Sequence, residues 1–162
     1  YVALACVAGR GPAGTHNILL GADEVGSGCI HSARGRYFAE TTALGHATQP
    51  GQPVPGLDGV LVDLADIPVR DGEGRVRRSA EIAAGMKEAI AAGGAVRRHT
   101  LVHVVHGSKT GLILPTMDDI DALRASHDAT FVVDACQARI TSAADLLAWV
   151  SGTMWTSIAE SA

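Results

Sequence analysis

The sequence has few lysines, few aromatic residues and no long apolar run. Lys87 and Lys109 are the only lysines in 162 residues, and aromatic residues make up 4%. No apolar stretch approaches the roughly 20 residues of a membrane-spanning helix, and no basic segment followed by an apolar run indicates a signal peptide. The formal net charge of −4 argues against nucleic acid as the main partner. We therefore expect neither membrane nor nucleic-acid binding.

Cysteine is also scarce. Cys6, Cys29 and Cys136 form an odd set without CxxC spacing. This pattern predicts free thiols in a reducing cytoplasm and argues against a disulfide framework or a zinc site.

The composition is that of a folded domain. Hydrophobic residues make up 47% and charged residues 19%, and the 19 glycines add to many alanines and valines. Such small residues suit close packing of helices on a sheet, and the length fits one domain covering residues 1–162. Because the chain begins at Tyr1 within a helix-like run, we expect it to be a piece of a longer protein.

Strand-like and helix-like segments alternate along the chain. Apolar runs predict strands at 16–20, 59–64, 101–105 and 130–133, and a further strand at 36–44. Apolar spacing of three to four residues predicts helices at 76–92 and 116–126, with further helical patterns at 1–9, 30–39 and 142–150. This alternation predicts an α/β fold with a mostly parallel sheet and right-handed crossovers.

A glycine-bearing turn follows the first predicted strand. The backbone N–H groups of Gly26, Ser27 and Gly28, with the Ser27 hydroxyl, suit a phosphate group. An ordinary strand-to-helix turn is the alternative, because the segment contains neither a GxGxxG pattern nor a Walker loop.

The second polar segment, 106–115, contains Ser108 in the sequence GSKTG. It is not a Walker loop, because Val102 occupies the position of the required glycine. His103 and His106 are expected to share a face of the strand, as packed polar residues and not as metal ligands.

The third segment begins with Asp134 at the end of an apolar strand. A carboxylate there needs a partner. The partner is either the start of the next helix or a protonated ring nitrogen, which a carboxylate keeps protonated in pyridine cofactors.

These segments resemble, in the same order, the large domain of fold-type-I pyridoxal-phosphate (PLP) enzymes of the class V aminotransferase and cysteine desulfurase group. The segment 21–24 (GADE) resembles that group's GATE turn. The segment 111–115 (GLILP) is similar to its Gly-x-x-x-Pro. The segment 133–137 (VDACQ) resembles its Val-Asp-Ala-Ala-Gln. The resemblance implies a three-layer α/β/α domain like the large domain of the aspartate aminotransferase fold, and it covers nearly the whole chain, although the family's complete subunit is more than twice as long.

The resemblance also implies roles for individual residues. Asp134 would pair with the pyridinium nitrogen, Gln137 would approach the phenolic oxygen, and Ala135 would pack under the ring. The turn would hold the phosphate, with Ser27 as the hydroxyl donor, although Asp23 replaces a threonine there. The cofactor-binding residues predicted in this way are Gly26, Ser27, Gly28, Ser108, Asp134, Ala135 and Gln137. The ring-stacking residue stays open among His31, Phe38 and His46.

The Schiff-base lysine of the family is absent. The corresponding positions hold Glu160 and Ser161, so no catalytic residue is assigned. The resemblance implies a PLP-dependent transferase or lyase that acts on an amino-acid-type substrate as a homodimer, represented here by a fragment that is inactive alone. The alternatives are a lysine-less, non-catalytic α/β domain that binds PLP or another phosphate ligand, and an unrelated flavodoxin-like or Rossmann-like nucleotide binder.

Overall fold

The computed structural model describes residues 14–57, 61–96 and 99–135. The strands in this part of the chain are β1 (Thr15–Leu20), β2 (Val62–Ile67), β3 (His99–His106), β4 (Ile113–Leu114) and β5 (Thr130–Asp134). The helices are α1 (Cys29–Ala33), α2 (Ser79–Val96) and α3 (Met117–Ser126). None of these helices is long and apolar enough to cross a membrane.

The strands form one mixed, mostly parallel sheet. β1 lies between β2 and β3, and β5 pairs with β3; all of these pairs are parallel. The short β4 runs antiparallel to the end of β3. Val105 pairs with Leu114 of β4 on one side and with Asp134 of β5 on the other. Because β5 occupies one side of β3, β4 lies on the other side, next to the end of β1. The predicted α/β class with a mostly parallel sheet is confirmed.

One face of the sheet packs against α2 and α3. Ile82, Met86 and Ile90, four residues apart along α2, are at most 4% exposed, as expected for a helical face turned to a sheet. They join a core cluster with alternate residues of the strands, including Ile18 and Val102. Burying this cluster is the main apolar contribution to the described fold.

The opposite face is covered by the segment between β1 and β2. Leu19 and Val105 point to that face and pack with Val25, while Leu101 packs with Leu57. The segment 22–57 therefore completes the second side of the sheet in the described part of the chain.

Several predicted boundaries need correction. The strand predicted at 36–44 is wrong, because residues 36–53 fold back on themselves as a loop. Tyr37 N–H donates to Gln52 at 2.8 Å, and Thr48 N–H donates to Glu40 at 2.7 Å. These bonds occupy the backbone groups that a sheet would need, and Gly51, at φ +84°, supplies a turn that strands do not contain.

Other predicted elements exist with shifted ends. The helix at 76–92 is α2 (Ser79–Val96), and the helix at 30–39 is only α1 (Cys29–Ala33). The strand predicted at 59–64 is β2 (Val62–Ile67), which is half-buried along most of its length. The helices predicted at 1–9 and 142–150 lie outside the described residues.

Candidate functional site

The carboxyl ends of the parallel strands meet at one edge of the sheet. The chain leaves β1 for β2 on one side and returns from β2 to β3 on the other, so a topological switch point lies between β1 and β3. Ligands of open α/β sheets bind at such points, outside the carboxyl ends of the strands. A cavity of about 360 Å³ lies there.

This cavity brings together residues from three separate segments of the chain, 24–38, 105–108 and the end of β5. Its walls contain five of the predicted site residues, namely Gly26, Ser27, Gly28, Ser108 and Asp134. The remaining lining residues are Glu24, Val25, Cys29, Ser32, Phe38, Val105 and Gly107. Of the other two predicted residues, Ala135 packs against the core cluster on the helix side of the sheet, and Gln137 lies outside the described residues.

The glycine turn forms part of the cavity wall. Within the described residues, the N–H groups of Gly26, Ser27 and Gly28 donate to no protein acceptor. Gly28 has no side chain to separate it from Phe38, since a Cβ atom there would lie 2.6 Å from the Cβ, Cγ and Cδ2 atoms of Phe38. The turn and the Phe38 ring therefore form one continuous wall.

Asp134 supplies a carboxylate to the cavity from the end of β5. It is the last residue of β5, it pairs with Val105 across the sheet, and it is half-buried in the cavity wall. Side chains alternate along a strand, which explains why Asp134 faces the cavity while Ala135 contacts the helix side.

Glu24 is the most highly coordinated side chain of the site. Its carboxylate accepts hydrogen bonds from Arg70 Nε (2.8 Å), Ser108 Oγ (2.7 Å), Thr110 Oγ1 (2.8 Å) and the Thr110 N–H (3.3 Å). Burial alone raises the pKa of Glu24, but the hydrogen bonds from Ser108, Thr110 and Arg70 outweigh it and lower that pKa to about 2. Glu24 is therefore ionised at neutral pH and its charge is matched by Arg70.

Ser108 belongs to a tight loop that closes the end of β3. The N–H groups of Gly107 and Ser108 donate to the Leu112 carbonyl at 3.1 and 2.9 Å. Gly107 and Gly111 have φ values of +81° and +83°, a conformation that favours glycine. The sequence GSKTG thus encodes a compact turn.

Cys29 contributes a half-buried thiol to the cavity wall. Burial raises the pKa of the Cys29 thiol, and the Asp134 carboxylate raises it further. The thiol is therefore protonated at neutral pH, and its position makes it a reporter of whether the cavity is filled.

Neither lysine lines the cavity. Lys87 is exposed on α2, and Lys109 is exposed in the loop after β3, where its Nζ donates to the Asp23 carbonyl at 3.3 Å. The positions predicted for the Schiff-base lysine, 160–161, lie outside the described residues.

The two histidines of β3 do not form a pair. His103 and His106 are three residues apart, so they point to opposite faces of the sheet, which corrects the expectation that they share one. Burial lowers the pKa of His103 to about 4, so this histidine is neutral at physiological pH. Within the described ranges, no three His, Cys, Asp or Glu side chains are grouped as a metal site requires.

Comparison with family models, curated proteins and solved structures gave no match to the chain.

Sequence reasoning did not identify the full wall of the cavity. Glu24 enters the sequence analysis only as part of the GADE segment, and no local pattern indicates that its carboxylate is buried. Its partner Arg70 lies 46 residues away, and no local pattern indicates that pairing. Phe38 was one of three open aromatic or histidine candidates, and it is the one of them that lines the cavity.

Proposed function

We propose that this chain is part of the large domain of a PLP-dependent transferase or lyase of the class V aminotransferase and cysteine desulfurase type, and that the cavity binds PLP. The observation that carries the proposal is the convergence of Gly26–Gly28, Ser108 and Asp134 in one cavity at the switch point. The proposal includes the three-layer arrangement of the aspartate aminotransferase fold, a homodimer, a cytoplasmic location and an amino-acid-type substrate.

The cavity residues suit the chemistry of PLP. The volume of about 360 Å³ lies within the range of about 300–1,000 Å³ typical of small-molecule sites. The backbone donors of Gly26, Ser27 and Gly28 suit the phosphate. The Glu24 carboxylate nearby is balanced by Arg70 and so does not add an unmatched negative charge.

Each end of the site has a distinct task. Asp134 would hold a proton on the ring nitrogen, because a carboxylate in a half-buried position stabilises a neighbouring cation. PLP, when bound, supplies an electron sink for substrate bonds. Phe38 lies against the turn, since a Cβ atom at Gly28 would meet Phe38 carbon atoms at 2.6 Å.

A second candidate function is a non-catalytic domain that binds PLP or another phosphate ligand reversibly. The position of the lysines favours it, because neither Lys87 nor Lys109 lines the cavity. A covalent anchor is what separates the two functions, since a lysine amine forms the Schiff base in PLP enzymes.

Titration of the full chain with three probes tests both candidates. The probes are PLP, pyridoxal (which lacks the phosphate) and inorganic phosphate. We expect Asp134→Asn to weaken PLP and pyridoxal roughly ten- to hundredfold, the range of a lost hydrogen bond to a charged group, and to leave phosphate unaffected. We expect Ser27→Ala to weaken PLP and phosphate but not pyridoxal. Asp128→Asn, at an exposed position outside the cavity wall, is the matched control.

Protection of Cys29 locates the bound ligand. Iodoacetamide labelling followed by peptide mass analysis should show slower modification of Cys29 with PLP present. Absence of PLP binding, or equal affinity in Asp134→Asn and Asp128→Asn, would overturn the proposal. Borohydride reduction then tests for a covalent anchor: because neither Lys87 nor Lys109 lines the cavity, we expect gel filtration to remove PLP from this chain under either function, and PLP retained in the intact mass would contradict the cavity as its site.

A further inference from the structure

The ends of three strands are joined through one carboxylate. Glu24 follows β1, Arg70 follows β2, and Ser108 and Thr110 follow β3, and all three partners donate to the Glu24 side chain. The Glu24 residue is only 4% exposed. The loop after β3 is also attached to Glu24 through the backbone, since Lys109 N–H donates to the Glu24 carbonyl at 2.9 Å.

The two oxygens of Glu24 have separate partners. Oε1 accepts from Arg70 Nε, and Oε2 accepts from the hydroxyls of Ser108 and Thr110. Arg70 also reaches Thr110 directly, with its Nη2 3.0 Å from Thr110 Oγ1. The four side chains therefore form a closed network with the charge of Glu24 at its centre.

The Ser108 hydroxyl is fully used within this network. Its single proton is donated to Glu24, and its oxygen accepts from the N–H groups of Leu112 (3.1 Å) and Thr110 (3.3 Å). A serine hydroxyl has one proton to donate. Ser108 thus lines the cavity with its hydroxyl proton donated to Glu24.

We propose that Glu24 is a positioning residue that fixes the Ser108 loop against the glycine turn and so sets the width of the ligand cavity. The inference rests on the proposed function, because it concerns the same cavity. The anion would be bound by the Gly26–Gly28 turn on one wall, and Glu24 holds the other wall at the distance that the ligand requires.

Thr110 allows this role to be tested without touching the cavity. It is exposed and absent from the cavity wall, so a substitution there reaches the ligand only through Glu24 and the loop. Thr110→Val keeps the shape of the side chain and removes the hydroxyl, while Thr110→Ser keeps the hydroxyl. Arg70→Gln, also outside the wall, tests the other oxygen of Glu24.

PLP titration of the full chain, with the melting temperature measured in parallel, is the experiment. We expect Thr110→Val and Arg70→Gln to weaken PLP binding about tenfold, which corresponds to about 1.4 kcal/mol, and Thr110→Ser to retain the wild-type dissociation constant. A purely structural role would lower the melting temperature of Thr110→Val without separating the affinities of the Val and Ser variants.

The outcomes distinguish this inference from the proposed function. Failure of the wild-type chain to bind PLP refutes the proposed function. Wild-type binding with unchanged affinity in both Thr110→Val and Arg70→Gln refutes the positioning role alone.

Discussion

Replacing Gly28 by alanine should disturb the cavity by steric conflict alone. The backbone of Gly28 has φ −87° and ψ −7°, which alanine adopts without strain. The added Cβ would lie 2.6 Å from three carbon atoms of Phe38, about 1 Å closer than a normal carbon–carbon contact of roughly 3.5–4.0 Å. One of these atoms is the Phe38 Cβ, so rotating the ring is not enough and the backbone must move.

The structure sets the size of the effect. Inserting a methyl group into a packed site typically costs about 1–3 kcal/mol, and we expect the lower half of that range because Phe38 is 54% exposed and can move outward. For a domain of this size, each kcal/mol lowers the melting temperature by roughly 2–4 °C. PLP binding should weaken as well, because Gly28 and Phe38 both line the cavity.

Gly26→Ala is the matched control in the same turn. Its Cβ would lie 3.4 Å from the Cys29 Sγ, an ordinary contact. Thermal unfolding by circular dichroism and PLP titration of both variants provide the measurements. Equal melting temperatures for the two variants would refute the steric reasoning.

Two further predictions concern stability. Because the pKa of Glu24 is lowered from 4.5 to about 2, its network stabilises the fold above pH 4.5 and loses that contribution as the pH falls toward 2. Urea unfolding across this range should show that the difference in free energy of unfolding between wild type and Glu24→Gln shrinks as the pH falls. A constant difference would contradict the assignment. In α2, Gly94→Ala should raise the free energy of unfolding by up to about 1 kcal/mol, because its Cβ meets nothing within 4 Å. Gly93→Ala should lower the free energy of unfolding, because its Cβ would clash with the ring of His16. Similar unfolding midpoints for these two variants in urea would rule out the conflict with His16.

Elements with a strong local pattern were predicted well. Residues 101–105 of β3 and 131–133 of β5 are apolar apart from His103 and lie inside the sheet, so the apolar pattern is continuous there. Helix α2 buries Ile82, Met86 and Ile90 on one face, as the predicted helical periodicity requires. The strand predicted at 36–44 was wrong because β-branched and aromatic residues favour a strand only where a neighbouring strand is present to pair with.

The candidate site was predictable only in its separate pieces. The glycine turn, Ser108 and Asp134 could be selected from sequence because each follows an apolar strand, and strand ends carry ligands in α/β folds. Their presence in one cavity depends on the order of strands in the sheet, which places β1 beside β3 although β2 lies between them in sequence.

The sequence by itself determined which segments become buried strands and helices, because hydrophobic periodicity is a local property of the chain. Only the tertiary structure decided the partners of Glu24, which lie 46 to 86 residues away along the chain. The parallel sheet brings the carboxyl ends of its strands to one edge, so residues far apart in sequence become neighbours there. A buried carboxylate must then be matched by whatever donors that edge provides, and here they are Arg70, Ser108 and Thr110.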